Sequence, residues 1–65
     1  MRGYVDFDGS SSQMLIPEAL LATDRVVATA SQNVNVWVSW SSGWFVNVSD
    51  SSFVGKVYYK VLNQP

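Results

Sequence analysis

From Val34 to Trp40 apolar and polar residues alternate, placing Val34, Val36, Val38 and Trp40 on one face and Asn35, Trp37 and Ser39 on the other. Ser41-Ser42-Gly43 follows, a three-residue hairpin loop with Gly43 suited to the left-handed position. Trp44-Phe45-Val46-Asn47-Val48 returns with the same period. Setting Trp40 opposite Trp44 brings Val38 to Val46 and Val36 to Val48, three apolar pairs on one face. Ser39 then faces Phe45, Trp37 faces Asn47 and Asn35 faces Ser49. A one-residue slip scrambles both faces, so pattern and loop fix one register.

Ser49-Asp50-Ser51-Ser52 is rich in residues that bond back to their own backbone and reads as a second turn. Beyond it, Phe53, Gly55, Val57, Tyr59 and Val61 share an apolar face, while Val54, Lys56, Tyr58 and Lys60 point outward. Pairing Val48 with Phe53 predicts a three-stranded meander with Gly55 opposite Val46, where the missing side chain marks a bulge or a close backbone approach. Upstream, Asp24–Ala30 reads as a strand, Tyr4–Phe7 as a short edge strand ended by Asp8-Gly9, and Met14–Ile16 as another. Pro17–Ala22 has proline at a suitable first helical position and helix formers behind it, which fits one short helical turn near 17–22 or an irregular crossover. The expected fold is all-β: a small antiparallel β-sandwich or half-barrel of five to six strands, one domain over 1–65, its second layer supplied by the chain itself or by another subunit.

Composition narrows the chemistry. The chain has 65 residues, no cysteine, no histidine and a net charge of −1. Thiolate chemistry, disulfides and the usual neutral-pH general base are excluded. Its ten serines mark turns, because only a lysine remains to activate one and no spacing supports that pair. Asp6-Phe7-Asp8-Gly9 opens like a calcium loop but lacks the later acidic ligand, so Asp8-Gly9 reads as a plain turn. No catalytic, cofactor-binding or metal-ligating residue is expected. Asn47-Val48-Ser49 matches a glycosylation sequon by chance within a strand. No apolar run is long enough to cross a membrane as a helix, and Met1–Asp8 has no apolar stretch typical of a secretory signal. A chain of about 60 residues buries only about 60% of its unfolded surface, so self-association is the expected remedy.

The candidate contact residues are aromatic. Trp37 belongs to the polar face among Asn35, Ser39 and Asn47, with Phe45 diagonal to it and within aromatic reach. Such a face suits a neighbouring subunit, or alternatively a sugar ring stacked on the aromatics and bonded by the amides. Trp40 and Trp44 cap the core beside the hairpin turn, with a recognition loop at that tip as the second reading; Trp44 completes the candidate interface of Trp37, Phe45, Tyr58 and Trp44. Lys56, Tyr58 and Lys60 make a cation–aromatic–cation stripe of the kind that binds single strands, but the acidic balance disfavours nucleic acid. Edge lysines that discourage aggregation are the plainer reading.

Gly43–Val48 and Phe53–Val61, an aromatic-valine strand, a Ser/Asp turn and then F-x-G-x-V-Y-Y-x-V, resemble the closing strands of small virion proteins of tailed bacteriophages. Capsid decoration proteins, head fibres and tail-fibre tips show this pattern, and the resemblance covers a third of the chain. It implies a β-rich homo-oligomer, a trimer above other orders, that contacts itself, other virion proteins or a host-surface glycan without catalysis. The implied location is the virion, which needs no signal peptide; outside a virus, the same feature fits the cytoplasm.

Overall fold

The computed structural model describes residues 1–63. Six strands form in chain order: β1 Arg2–Asp8, β2 Gln13–Leu15, β3 Val26–Ala30, β4 Val36–Trp40, β5 Trp44–Val48 and β6 Val54–Val61. They build two antiparallel three-stranded sheets, β1-β6-β3 and β2-β5-β4, which pack as a small β-sandwich. No helix among the described residues is long and apolar enough to cross a membrane.

The β4–β5 hairpin has the register that its sequence dictates: Val36↔Val48, Val38↔Val46 and Trp40↔Trp44 on one face, Trp37↔Asn47 and Ser39↔Phe45 on the other. A backbone bond from the Ser49 N–H to the Asn35 carbonyl, 3.0 Å, carries the ladder one pair further. In the loop, Ser42 takes the left-handed conformation (φ 56°) that the sequence assigns to Gly43, and the Ser41 N–H bonds back to the Gly43 carbonyl at 2.9 Å.

The expected meander does not form. β6 leaves β5 and crosses to the other sheet, where it is the central strand between β1 and β3. Gly55 therefore lies opposite Phe7 instead of Val46. Phe53, in place of pairing with Val48, sits in the core 5.7 Å from the ring of Phe7. A Cβ on Gly55 would come within 3.0 Å of the Phe53 ring, so the missing side chain makes room for that crossing. The alternation within β6 survives because it records which face meets the core. It carries no information about which strand lies alongside. Every connection other than the β4–β5 loop passes from one sheet to the other.

The core lies between the inner faces: Val5 and Phe7 of β1, Val26 of β3, Val46 and Val48 of β5, and Val57, Tyr59 and Val61 of β6, with Ile16 and Phe53 from the crossings. Val36 and Val38, on the edge strand β4, pack against this cluster but remain half-buried. Residues 17–22 form no helical turn. The Leu21 N–H donates to the Asp24 carboxylate at 2.7 Å, and the Leu21 carbonyl accepts from the Trp44 indole N–H and the Asp24 N–H. Side chains thereby take backbone groups that a helix would have used. The buried Asp24 also accepts from the Asn63 side-chain amide at 3.0 Å, while Asn63 accepts from the Arg25 N–H at 2.8 Å, which ties the end of β6 to this crossover.

Candidate functional site

The four candidate contact residues separate onto three parts of the molecule. Trp37 and Phe45 lie on the outer face of the β2-β5-β4 sheet, where the rows Gln13↔Asn47↔Trp37 and Leu15↔Phe45↔Ser39 cross all three strands. Tyr58 lies on the outer face of the other sheet, in the row Tyr4↔Tyr58↔Thr29. Trp44 is on the inner face of its sheet and packs against the core. Its indole N–H is bonded to the Leu21 carbonyl at 2.8 Å, and its ring meets Trp40 edge-on at 5.9 Å. Trp40 itself stays exposed at the hairpin tip and does not cap the core.

On the β2-β5-β4 face, Trp37 and Leu15 are 51% and 54% exposed, and Phe45 lies half-buried on the central strand. The expected ring contact between Trp37 and Phe45 is not among those of the described residues. Between them the polar groups bond to each other. The Asn47 amide N–H₂ donates to the Ser39 hydroxyl at 3.0 Å and to the Trp37 carbonyl at 3.3 Å. Its side-chain oxygen accepts from the Gln13 amide at 2.9 Å. Asn47 is 7% exposed despite facing outward, because its neighbours on both sides cover it. The face thus presents apolar side chains around a polar network turned inward on itself. Leu15 is exposed to about the same fraction as Trp37. Its outward direction could have been read from its alternation with Met14, but a three-residue strand carries too short a pattern to fix that face.

The β1-β6-β3 face is built differently. Lys56 Nζ meets Asp6 Oδ1 at 2.9 Å and lies 4.2 Å from the centre of the Tyr4 ring, which tilts against Tyr58 at 6.2 Å. The hydrogen bond to Asp6 chiefly raises the Lys56 pKa. The stripe Lys56-Tyr58-Lys60 is therefore not uniformly basic, since Asp6 holds its first lysine. Two rows along, Arg2 faces Lys60. Arg2, Gly3, Val27, Thr29, Tyr58, Tyr59 and Lys60 line a shallow open cavity of about 410 Å³. Arg2 and Val27 join this face only through a β1–β6–β3 pairing that spans nearly the whole chain, so local alternation gave no sign of it.

The acidic residues serve turns. Asp8 Oδ1 accepts from the Ser10 hydroxyl and from its backbone N–H at 3.1 Å, with Gly9 in the left-handed region (φ 86°). Asp50 Oδ1 does the same for Ser52, at 2.7 and 2.9 Å. In each case the serine hydroxyl is the larger cause, and its N–H the next, of a carboxyl pKa below the ordinary value. No group of three acidic side chains able to hold a metal occurs among the described residues.

No protein-family model, no curated protein and no solved structure matches this chain.

Proposed function

We propose that this chain is a non-enzymatic assembly module, a structural protein of a bacteriophage particle that works as a homo-oligomer, with a trimer as the favoured order. The subunit contact in this reading is the outer face of the β2-β5-β4 sheet. The observation that carries it is the pairing of exposed Trp37 and Leu15 with polar neighbours that are already bonded within the sheet. A face whose amides are spent on each other has apolar surface to bury and few hydrogen bonds to offer a soluble ligand. That weighs toward a second copy of the chain and against the glycan reading at Trp37. The virion setting rests on the resemblance of Gly43–Val48 and Phe53–Val61 to closing strands of phage structural proteins.

The test is the solution mass by light scattering over a dilution series, for the native chain and for Trp37→Ser. The expected result is a mass of several chains, three for a trimer, that shifts toward 7.2 kDa in the variant while its circular dichroism stays β-rich. Trp37 is half exposed, so the substitution should leave the fold intact. A native chain that is monomeric at all concentrations, or an oligomer indifferent to Trp37→Ser, overturns this use of the face. A tryptophan emission shift on titration with neutral oligosaccharides would instead favour the glycan reading.

A further inference from the structure

The antiparallel ladder between β1 and β6 carries two charged rows on its outer face, and they are arranged in opposite ways. Asp6 faces Lys56, a matched pair at 2.9 Å. Arg2 faces Lys60, two cations directly opposed, and no acidic partner bridges either one among the described residues. Like charges directly opposite each other destabilise a strand pair, and an anion placed between them would remove that cost. The opposed cations line the 410 Å³ cavity, together with the exposed ring of Tyr58, the exposed Thr29 and the side chain of Val27.

The rest of the face defines how much negative charge fits. Beyond Tyr4 and Tyr58 the next row, Asp6 with Lys56, is charge-balanced, and the row after it carries Asp8 opposite Val54. A polyanion running along the sheet would pass from Arg2 and Lys60 onto a neutral row and then onto Asp8, so the face offers an extended nucleic-acid strand no continuous positive track. One anionic group needs none. A guanidinium presents a planar fork of donors to a carboxylate or phosphate, and an ammonium adds a point charge beside it. An aromatic ring next to them offers a face on which the C–H side of a sugar ring can rest, and the Thr29 hydroxyl can both donate and accept.

We infer that the outer face of the β1-β6-β3 sheet is a binding site for a sugar ring bearing a single anionic group, carboxylate or phosphate. The anion sits between Arg2 and Lys60 and the ring lies on Tyr58 beside Thr29. The assembly reading uses the opposite face of the sandwich, so the two stand or fall separately.

The experiment is a titration of ¹⁵N-labelled protein with N-acetylneuraminate, glucuronate, glucose 6-phosphate and glucose at low salt, followed by amide shifts. The expected result is saturable binding of at least one acidic sugar in the millimolar range, with the largest shifts at residues 2–4, 27–29 and 58–60, and none with glucose. The carboxylate and phosphate sugars distinguish the two anion types. Arg2→Ser and Lys60→Thr should each weaken binding about tenfold or more. Because each removes an opposed cation, each should also hold or raise the midpoint of thermal unfolding, by up to about 3 °C. Glucose binding as well as the acidic sugars, shifts centred on Trp37, no saturable shift with any sugar, or variants that bind undiminished would each overturn the assignment.

Discussion

At the scale of single residues, Gly3 is the most closely approached of the four glycines. It lies on the inner face of β1, directly opposite Tyr59, and the Tyr59 ring covers the space that a side chain at Gly3 would occupy. A Cβ there would stand 2.5 Å from the phenolic oxygen and 2.7 Å from the ring carbon bearing it. The ring has little freedom to retreat. Tyr59 is 4% exposed and donates to Glu18 Oε1 at 3.3 Å, and burial followed by the charge of Glu18 raises its pKa. Gly3→Ala should therefore destabilise the protein by about 1–3 kcal/mol, the usual cost of overpacking, despite alanine's better fit to an ordinary strand. Urea unfolding of the variant checks this. A second substitution, Gly3→Ala with Tyr59→Leu, should recover part of the loss if the ring is the cause. Nothing in the local sequence marks Gly3, because its significance depends on a partner almost at the other end of the chain. Gly55 was legible as a close approach, yet the group that approaches it is the Phe53 ring rather than a neighbouring strand across from Val46.

At the scale of elements, strand pairing was legible in the chain's local signals where a short loop left a single arrangement. The β4–β5 hairpin is such a case: three residues join the strands, so alternation and loop length determine every pair from Val36↔Val48 to Trp40↔Trp44. The inward and outward faces of β6 were legible from its alternation alone. Its neighbours were not, because Ser49–Ser52 can close a hairpin or carry the chain across to another sheet without changing which residues are apolar. What the Asp/Ser turns do show is a titratable element. Serine donors lower the carboxyl pKa of Asp8 and Asp50, so each turn's contribution is complete above the ordinary carboxylate value. It is lost as the pH falls through the lower folded value, which places the loss below about pH 4. Urea midpoints measured from pH 7 to pH 2 should decline over that acid range. The double variant Asp8→Asn with Asp50→Asn should show a shallower decline, since asparagine keeps an oxygen acceptor for the serine but does not titrate. An unchanged acid limb would assign the decline to the other carboxylates.

At the scale of the whole molecule, the folded chain must stabilise itself with two three-stranded sheets and one thin core. The most deeply buried side chains among the described residues are Val46, Val57 and Val61, with Phe7, Ile16 and Val48 scarcely more exposed. Of the nine exposed large hydrophobic side chains among the described residues, Tyr4, Val27, Val54 and Tyr58 lie on the outer face of one sheet, and Leu15 and Trp37 lie on the outer face of the other. Length and composition lead to the expectation of additional burial between copies. The division of the aromatics was not legible there, since Tyr58 and Trp37 appear alike in sequence and lie on opposite sides of the sandwich. If copies associate through the Trp37 face, folding and association are linked, and the apparent stability depends on protein concentration. The midpoint of thermal unfolding should then rise with each tenfold increase in chain concentration, with a wide-range dilution series by differential scanning fluorimetry as the measurement. In Trp37→Ser the midpoint should fall at high concentration and lose its dependence, converging on the native value at the dilute end. Arg2→Ser, on the opposite face, should leave the concentration dependence intact. A native midpoint flat across the series would mean that the valine core suffices on its own and that Trp37 and Leu15 serve some contact other than self-assembly.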